Sequence, residues 1–323
     1  MALSILFLSG CCPDVLPEMD SHHFVNPLKQ IPLSLPSEGS TLDILTFEND
    51  RLKRLDSYKR TERFEGDTAY VESTSGNKII FCCLAAGKDI YDWAQINSYS
   101  ALNKIRFDLE DERRGSLTKT GEVRLTAGEK DVQIELKPLV GAVCIERISC
   151  DFSGTPYAGS RMTDVCAYLT NVNGTFGINA DEVNYPERII NHGMLKPGDM
   201  DALLEKDMIY SPVTDILTSK VIYPEIYFLC YPNNADGSSI GNPCTRLVIE
   251  GKIDGHTYYW PIDINQSQEN ETRGIERNCR YSFDILIRKK GTSDPDIPIQ
   301  INECEIKFKL KPWEEKKDYG IRF

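Results

Sequence analysis

An all-β chain folded as two β-sandwich domains is what the sequence predicts, and three observations predict it. The 323 residues include 15 Tyr, 12 Phe and 3 Trp among many Val, Ile and Thr, the side chains that fill half-buried pleated surfaces. Segments of alternating or continuous apolar residues recur at intervals of roughly 10 to 20 residues between Gly, Asn and Pro turns, and few stretches keep a 3.6-residue period. The length suits two domains of about 150 residues each. Charge narrows the function classes further: 37 Lys and Arg against 49 Asp and Glu leave a net charge of −12, the wrong sign for a nucleic-acid partner, which is bound by releasing counterions to a cationic surface. An apolar fraction of 41% fills one or two ordinary cores and is too low for a polytopic membrane protein.

The elements follow in order. Residues 1–12 hold a short apolar run, Leu3 to Leu8, that cannot span a bilayer and ends in Leu8-Ser9-Gly10-Cys11. That order resembles the lipobox of bacterial lipoproteins, which implies that Cys11 becomes the lipidated first residue of an exported chain held on the outer membrane. No Lys or Arg precedes the run, as a signal peptide requires, so an upstream start and a plain soluble terminus both stay open. Residues 13–28, with Pro, acids and His22-His23 but no period, read as a tether. In the first sandwich, residues 29–152, Ile31, Leu33 and Leu35 alternate with Pro32, Ser34 and Pro36. Proline has no N–H for a ladder, so this strand belongs at an edge or is added late to an existing sheet.

Further strands are expected at Leu42–Phe47, Arg51–Tyr58, Ala69–Glu72 and Lys78–Leu84, with a short helix between Tyr91 and Leu109. Val132–Lys137 and Gly141–Ile148 look like the strands that close the first domain. The Asp151-Phe152-Ser153-Gly154-Thr155-Pro156 turn cluster marks the boundary. The second sandwich, residues 153–323, has strands at Asp164–Thr170, Tyr223–Tyr231, Thr245–Gly251, Thr257–Ile264, Tyr281–Arg288 and Glu305–Lys311. A helix is expected over Asp199–Lys206, capped by the Pro197-Gly198-Asp199 turn.

Four phrases in the second half occur in a set order: Gly255-His256-Thr257-Tyr258-Tyr259-Trp260-Pro261-Ile262, then Ile275-Glu276-Arg277-Asn278 before Tyr281, then Gly291-Thr292-Ser293-Asp294-Pro295 with Pro298-Ile299, then Pro312-Trp313. Together with Leu169-Thr170-Asn171-Val172-Asn173, this order resembles the fimbrillins, the type V pilins of anaerobic Gram-negative bacteria. The resemblance covers residues 160–323 well and 30–150 loosely. Each phrase also has a plain reading: a core-filling aromatic strand, an exposed Arg-Asn turn before a strand, and an Asp294-Pro295-Asp296 turn without the spaced oxygens of a calcium loop.

The resemblance implies two tandem transthyretin-like Greek-key sandwiches and a structural subunit of an adhesive surface fimbrium. It further implies assembly with like or unlike subunits by donor-strand exchange, in which a vacated groove accepts a neighbour's strand. Ile31, Leu33 and Leu35 then mark the exchangeable strand, and Ile306, Phe308, Leu310 and Trp313 the C-terminal one. In stalk pilins of the family the cut follows an Arg after the first strand. Here Ser37-Glu38-Gly39-Ser40 has no basic residue and the first is Arg51, which points to an anchor-type subunit or to another protease.

No enzyme motif is present: there is no Gly-x-Ser-x-Gly, His-Glu-x-x-His, Gly-x-Gly-x-x-Gly or phosphate loop. No catalytic residue, cofactor or metal is expected. The 11 Cys show no Cys-x-x-Cys and read as mostly free, buried thiols, with one or two disulfides left open for an exported chain. Asp67-Thr68-Ala69 matches the short pattern on which such bacteria O-glycosylate exported proteins, making Thr68 a candidate. The rival function is a monomeric surface lipoprotein that binds glycan or a host ligand, with Trp93, Tyr258 or Trp260 as stacking faces.

Overall fold

The computed structural model describes residues 29–34, 41–61, 68–85, 92–129, 132–178, 188–191, 208–235, 243–266, 273–297 and 304–312. Cys11, Leu35, Trp313, the tether and the expected helix over Asp199–Lys206 lie outside the described residues. Among the described residues the regular structure is nearly all strand, as the composition predicts. In the first half these are β1 (Lys29–Ser34), β2 (Thr41–Glu48), β3 (Leu55–Thr61), β4 (Thr68–Ser73) and β5 (Lys78–Ala85), then the single turn of helix α1 (Tyr99–Leu102), then β6 (Arg106–Asp108), β7 (Lys119–Leu125), β8 (Val132–Gln133) and β9 (Lys137–Pro138). One sheet runs β3-β2-β5-β7-β9 and a second β4-β1-β8. Between them lies a core of Leu42 and Ile44 from β2, Ile80, Cys82 and Leu84 from β5, Val71 from β4, and Val132, Ile134 and Leu136.

Alternate residues of β2 and β5 face the other way, since successive side chains of a strand point to opposite faces. Leu45, Phe47, Ile79, Phe81 and Cys83 are thereby buried against Trp93, Tyr99 and Leu102. Strands covered on both faces read as continuous apolar runs. That is why Leu42–Phe47 and Lys78–Leu84 stand out in the sequence.

The second half contains β10 (Gly141–Cys150), β11 (Met162–Thr170), β12 (Val172–Asn173), β13 (Thr175–Gly177), β14 (Ile189–Ile190), β15 (Tyr210–Leu217), β16 (Ile226–Cys230), β17 (Arg246–Ile253), β18 (His256–Asp263), β19 (Cys279–Ile287) and β20 (Cys304–Pro312). Two four-stranded sheets, β16-β10-β19-β20 and β15-β11-β17-β18, face each other across Val143, Ile145, Phe228 and Phe283 from one and Val165, Leu169, Ile249 and Trp260 from the other. Pro212 sits in the edge strand β15 beside an irregularity in its pairing with β11, the places in a sheet where proline is tolerated.

The Gly141–Ile148 run is not a closing strand of the first sandwich. As β10 it pairs antiparallel with β16 and parallel with β19, so the change of sheet falls before Gly141 and not at the turn cluster near residue 152. Periodicity locates a strand but says nothing of its partner. The halves are also joined across the chain: β6 pairs with β13, and one apolar cluster runs from Phe47 and Phe81 in the first half to Ile264 and Tyr281 in the second.

Candidate functional site

The strand expected at an edge, or as a late addition to an existing sheet, lies in the interior of its sheet. β1 lies between β4 and β8, antiparallel to the first over its full length, with Ile31 opposite Val71 and Leu33 opposite Ala69. It is parallel to the second at only two positions, Leu33 opposite Val132 and Ser34 opposite Gln133. The ladder to β8 begins one residue after Pro32, which has no N–H to contribute. Among the described residues neither β4 nor β8 has another strand partner. Take β1 away and a slot one strand wide remains, floored by the first core.

At the other end of the chain β20 forms the edge of its sheet. Ile306, Phe308 and Leu310 stand in register with Ile285, Phe283 and Tyr281 of β19. Thr68 is the first residue of β4 and stands opposite Ser34.

Two groups of residues at the site were not legible in the sequence. At the end of β4, Lys78 is 1% exposed and lies 3.0 Å from Asp56 and 2.7 Å from Glu48. Ser73 Oγ and the Thr74 amide both donate to Asp56 Oδ2, at 2.7 and 2.9 Å. Burial pushes the Asp56 carboxyl up, but the bonds from Ser73, Thr74 and Lys78 outweigh it and hold it below its ordinary value. The only signal was a lysine opening an apolar run, which ordinarily marks a solvated strand end.

The second group is at the junction of the halves. Arg277, read as part of an exposed turn, donates to the Pro138 carbonyl at 3.2 Å, to Thr120 O and Oγ1 at 3.2 and 3.0 Å, and to the Lys137 carbonyl. It thus caps β7 and β9 from the loop before β19. Asn278, at φ 57°, is in the left-handed region that Asn tolerates, and its amide donates to Val140 O at 2.9 Å. Nearby, Glu112 is 1% exposed and accepts from the Thr118 amide at 2.9 Å and from Tyr231 Oη at 3.2 Å. Burial pushes its carboxyl up to about 7.

The indole faces named for a glycan ligand are not available: Trp93 and Trp260 are 3% and 0% exposed, and Trp260 Nε1 donates to Lys289 O at 3.1 Å. Tyr258 is half-buried with the Lys290 ammonium 5.4 Å from its ring centre. Asn173 and Asn265, each the first residue of an Asn-x-Ser/Thr triplet, are buried and their amides donate to the carbonyls of Pro232 and Gly274 at 2.6 and 3.1 Å. Among the described residues, Cys82, Cys83, Cys144, Cys150, Cys166, Cys230, Cys244 and Cys279 are free thiols.

An all-β protein of several sheets in which, among the described residues, β1 lies between two strands that have no other strand partner is the class this geometry defines. No protein-family model matches the chain, and no curated protein matches it in sequence. Solved structures do match in fold. A candidate cell adhesion protein from Parabacteroides distasonis is 15% identical, with 88% of this chain and 96% of that one covered and a TM-score of 0.64. One from Bacteroides eggerthii is 15% identical over 89% and 97%, with a TM-score of 0.64. A fimbrilin from Porphyromonas gingivalis is 14% identical over 89% and 98%, with a TM-score of 0.58. The chain has the fold of the fimbrilins and of these adhesion proteins, the family that its second-half phrases resemble.

Proposed function

We propose that this chain is a structural subunit of a cell-surface fimbrium that joins its neighbours by donor-strand exchange, with β1 as the strand exchanged. The observation that carries the reading is the place of β1: it is the sole strand between β4 and β8, so its departure opens a slot lined by two unpaired strand edges. Such edges bind an extended segment through main-chain hydrogen bonds, without any catalytic group. In this reading both sandwiches are of the transthyretin-like class, and the edge strand β20 with its Ile306, Phe308, Leu310 series is the segment offered to the next subunit. Cys11 carries the lipid that holds the chain on the outer membrane after export. The loop at 37–40 lacks a basic residue, which fits either an anchor-type subunit that keeps its own first strand or one whose β1 is released by a protease of other specificity. Burial of Trp93 and Trp260 takes from the glycan-binding reading two of its three stacking faces.

The test is a full-length chain with a specific protease site placed in the 37–40 loop. Cutting it should yield oligomers by size-exclusion chromatography with light scattering, and a peptide copying residues 304–312 should cap them. A cut chain that stays monomeric and ignores the peptide sinks the proposal.

A further inference from the structure

Strand exchange poses a problem for β4. Among the described residues its one strand partner is β1, so when β1 leaves, that wall of the slot loses the ladder described for it. Yet the end of β4 is tied to the large sheet by groups that owe nothing to β1. Asp56 on β3 accepts from Ser73 Oγ, from the Thr74 amide and, at 2.8 Å, from Thr74 Oγ1. Lys78 on β5 donates to Thr74 Oγ1 at 2.7 Å and to Glu48 on β2 at 2.7 Å. Halfway along β4, Lys59 Nζ on β3 donates to the Tyr70 carbonyl at 2.6 Å. Glu48 and Lys78 are a cross-strand pair at the end of the face whose other members, Leu42, Ile44, Ile80 and Cys82, floor the slot. Thr74 is the hub, touching both carboxylates and the ammonium.

We propose that Lys78, Asp56, Glu48 and Thr74 form a clamp that holds β4 in place independently of β1, so that the slot keeps its shape for an incoming strand. The inference rests on the exchange reading for its purpose, though not for its test. Apolar side chains at these positions would seal the core about as well, since a buried ion pair adds little net stability over a hydrophobic replacement. They would also lose their cover once β1 left and water reached the floor of the slot. A cluster whose donors and acceptors satisfy one another is indifferent to that opening, and its fork of directed bonds fixes where β4 lies.

The experiment is amide hydrogen exchange on the intact chain, with the Thr74 amide compared to those of residues 29–34. The clamp requires the Thr74 amide to exchange at least about ten-fold more slowly than the β1 amides that open most readily. Thr74→Val, which keeps the side-chain shape and removes the hub hydroxyl, should bring the rates within about three-fold of each other. If Thr74 in the parent opens together with β1, the clamp is overturned whatever the variant does. In a second arm both proteins carry the protease site in the 37–40 loop, are cut, and are offered a labelled peptide copying residues 29–36. Capture by the parent and at least ten-fold slower capture by Thr74→Val supports the clamp, and equal capture by both overturns it. Capture by neither, with Thr74 still protected in the parent, refutes strand exchange while upholding the clamp.

Discussion

Two buried carboxyls respond to acid in opposite senses. Glu112 is driven up to about 7 by burial, with hydrogen bonds from Thr118 and Tyr231 offsetting part of the shift. A carboxyl whose folded value lies above its unfolded one binds more protons folded than unfolded, so its contribution to stability is full below the ordinary carboxyl range and is lost as pH rises towards 7. The loss is on the order of 3 kcal/mol. Glu112→Gln, whose amide can serve the Thr118 amide and the Tyr231 hydroxyl, should flatten the profile between pH 5 and 7 and leave the variant more stable than the parent at pH 8. Urea unfolding at four pH values checks this, and parallel profiles would contradict it. Asp56 is held low, so its contribution is present above the ordinary Asp range and is lost only as pH falls through its depressed folded value. Asp56→Ala leaves the Lys78 ammonium with Glu48 and takes the acceptor from the Ser73 hydroxyl and the Thr74 amide, which should cost about 1–3 kcal/mol at pH 7, read by the same unfolding assay. The buried cysteines Cys82, Cys144 and Cys230 have thiols raised by burial, to about 11 at Cys144. With these three and Cys83, Cys150, Cys166, Cys244 and Cys279 all unpaired, reductant should leave the melting temperature unchanged.

Among the elements, β7 shows where sequence reading stops. Lys119-Thr-Gly-Glu-Val-Arg-Leu125 has no apolar run and a glycine inside it, and it was not read as a strand. The glycine is there for closeness: a Cβ on Gly121 would lie 2.4 Å from the Glu135 carbonyl and 2.7 Å from Ile134, on the segment joining β8 to β9. Gly121→Ala should therefore cost about 1–3 kcal/mol through a forced backbone shift, measured as a lower denaturation midpoint with unchanged slope. β15, with Pro212 and half its residues polar, was missed for a related reason: an edge strand buries too little to show a pattern. By contrast β2, β5, β17, β18 and β19 were legible because each buries a row of apolar residues. The alternation at Ile31 and Leu33 revealed β1, whereas its interior place depends on β4 and β8, which lie about 40 and 100 residues away in sequence. Arg277 was misread on the same ground, for its partners Thr120 and Pro138 are invisible to any local rule.

On the scale of the molecule, the two halves are coupled by that arginine and by a common core. Arg277→Met keeps the alkyl stem and orphans the carbonyls of Thr120, Lys137 and Pro138, at a cost of about 1–3 kcal/mol. Differential scanning calorimetry should show one transition for the parent and a broadened or split one for the variant; an unchanged single peak would mean that the core alone couples them. In a native host, Cys11→Ser should release the chain from the outer membrane, and retention of the variant would end the lipid-anchor proposal. The covalent link between the halves is Leu139-Val140, both 0% exposed, with Leu139 N bonded to Thr118 O at 3.0 Å and Val140 O to the Asn278 amide. There is no slack in it: the chain passes from one set of sheets to the other through two residues fixed by main-chain bonds on either side. In a polymer built by the proposed strand exchange, units linked internally without slack would leave the compliance to the joints between copies, so the bending modulus of such a filament, and how far it would yield under shear flow before a subunit unfolds, would be set by the docked strand and not by the body of the subunit.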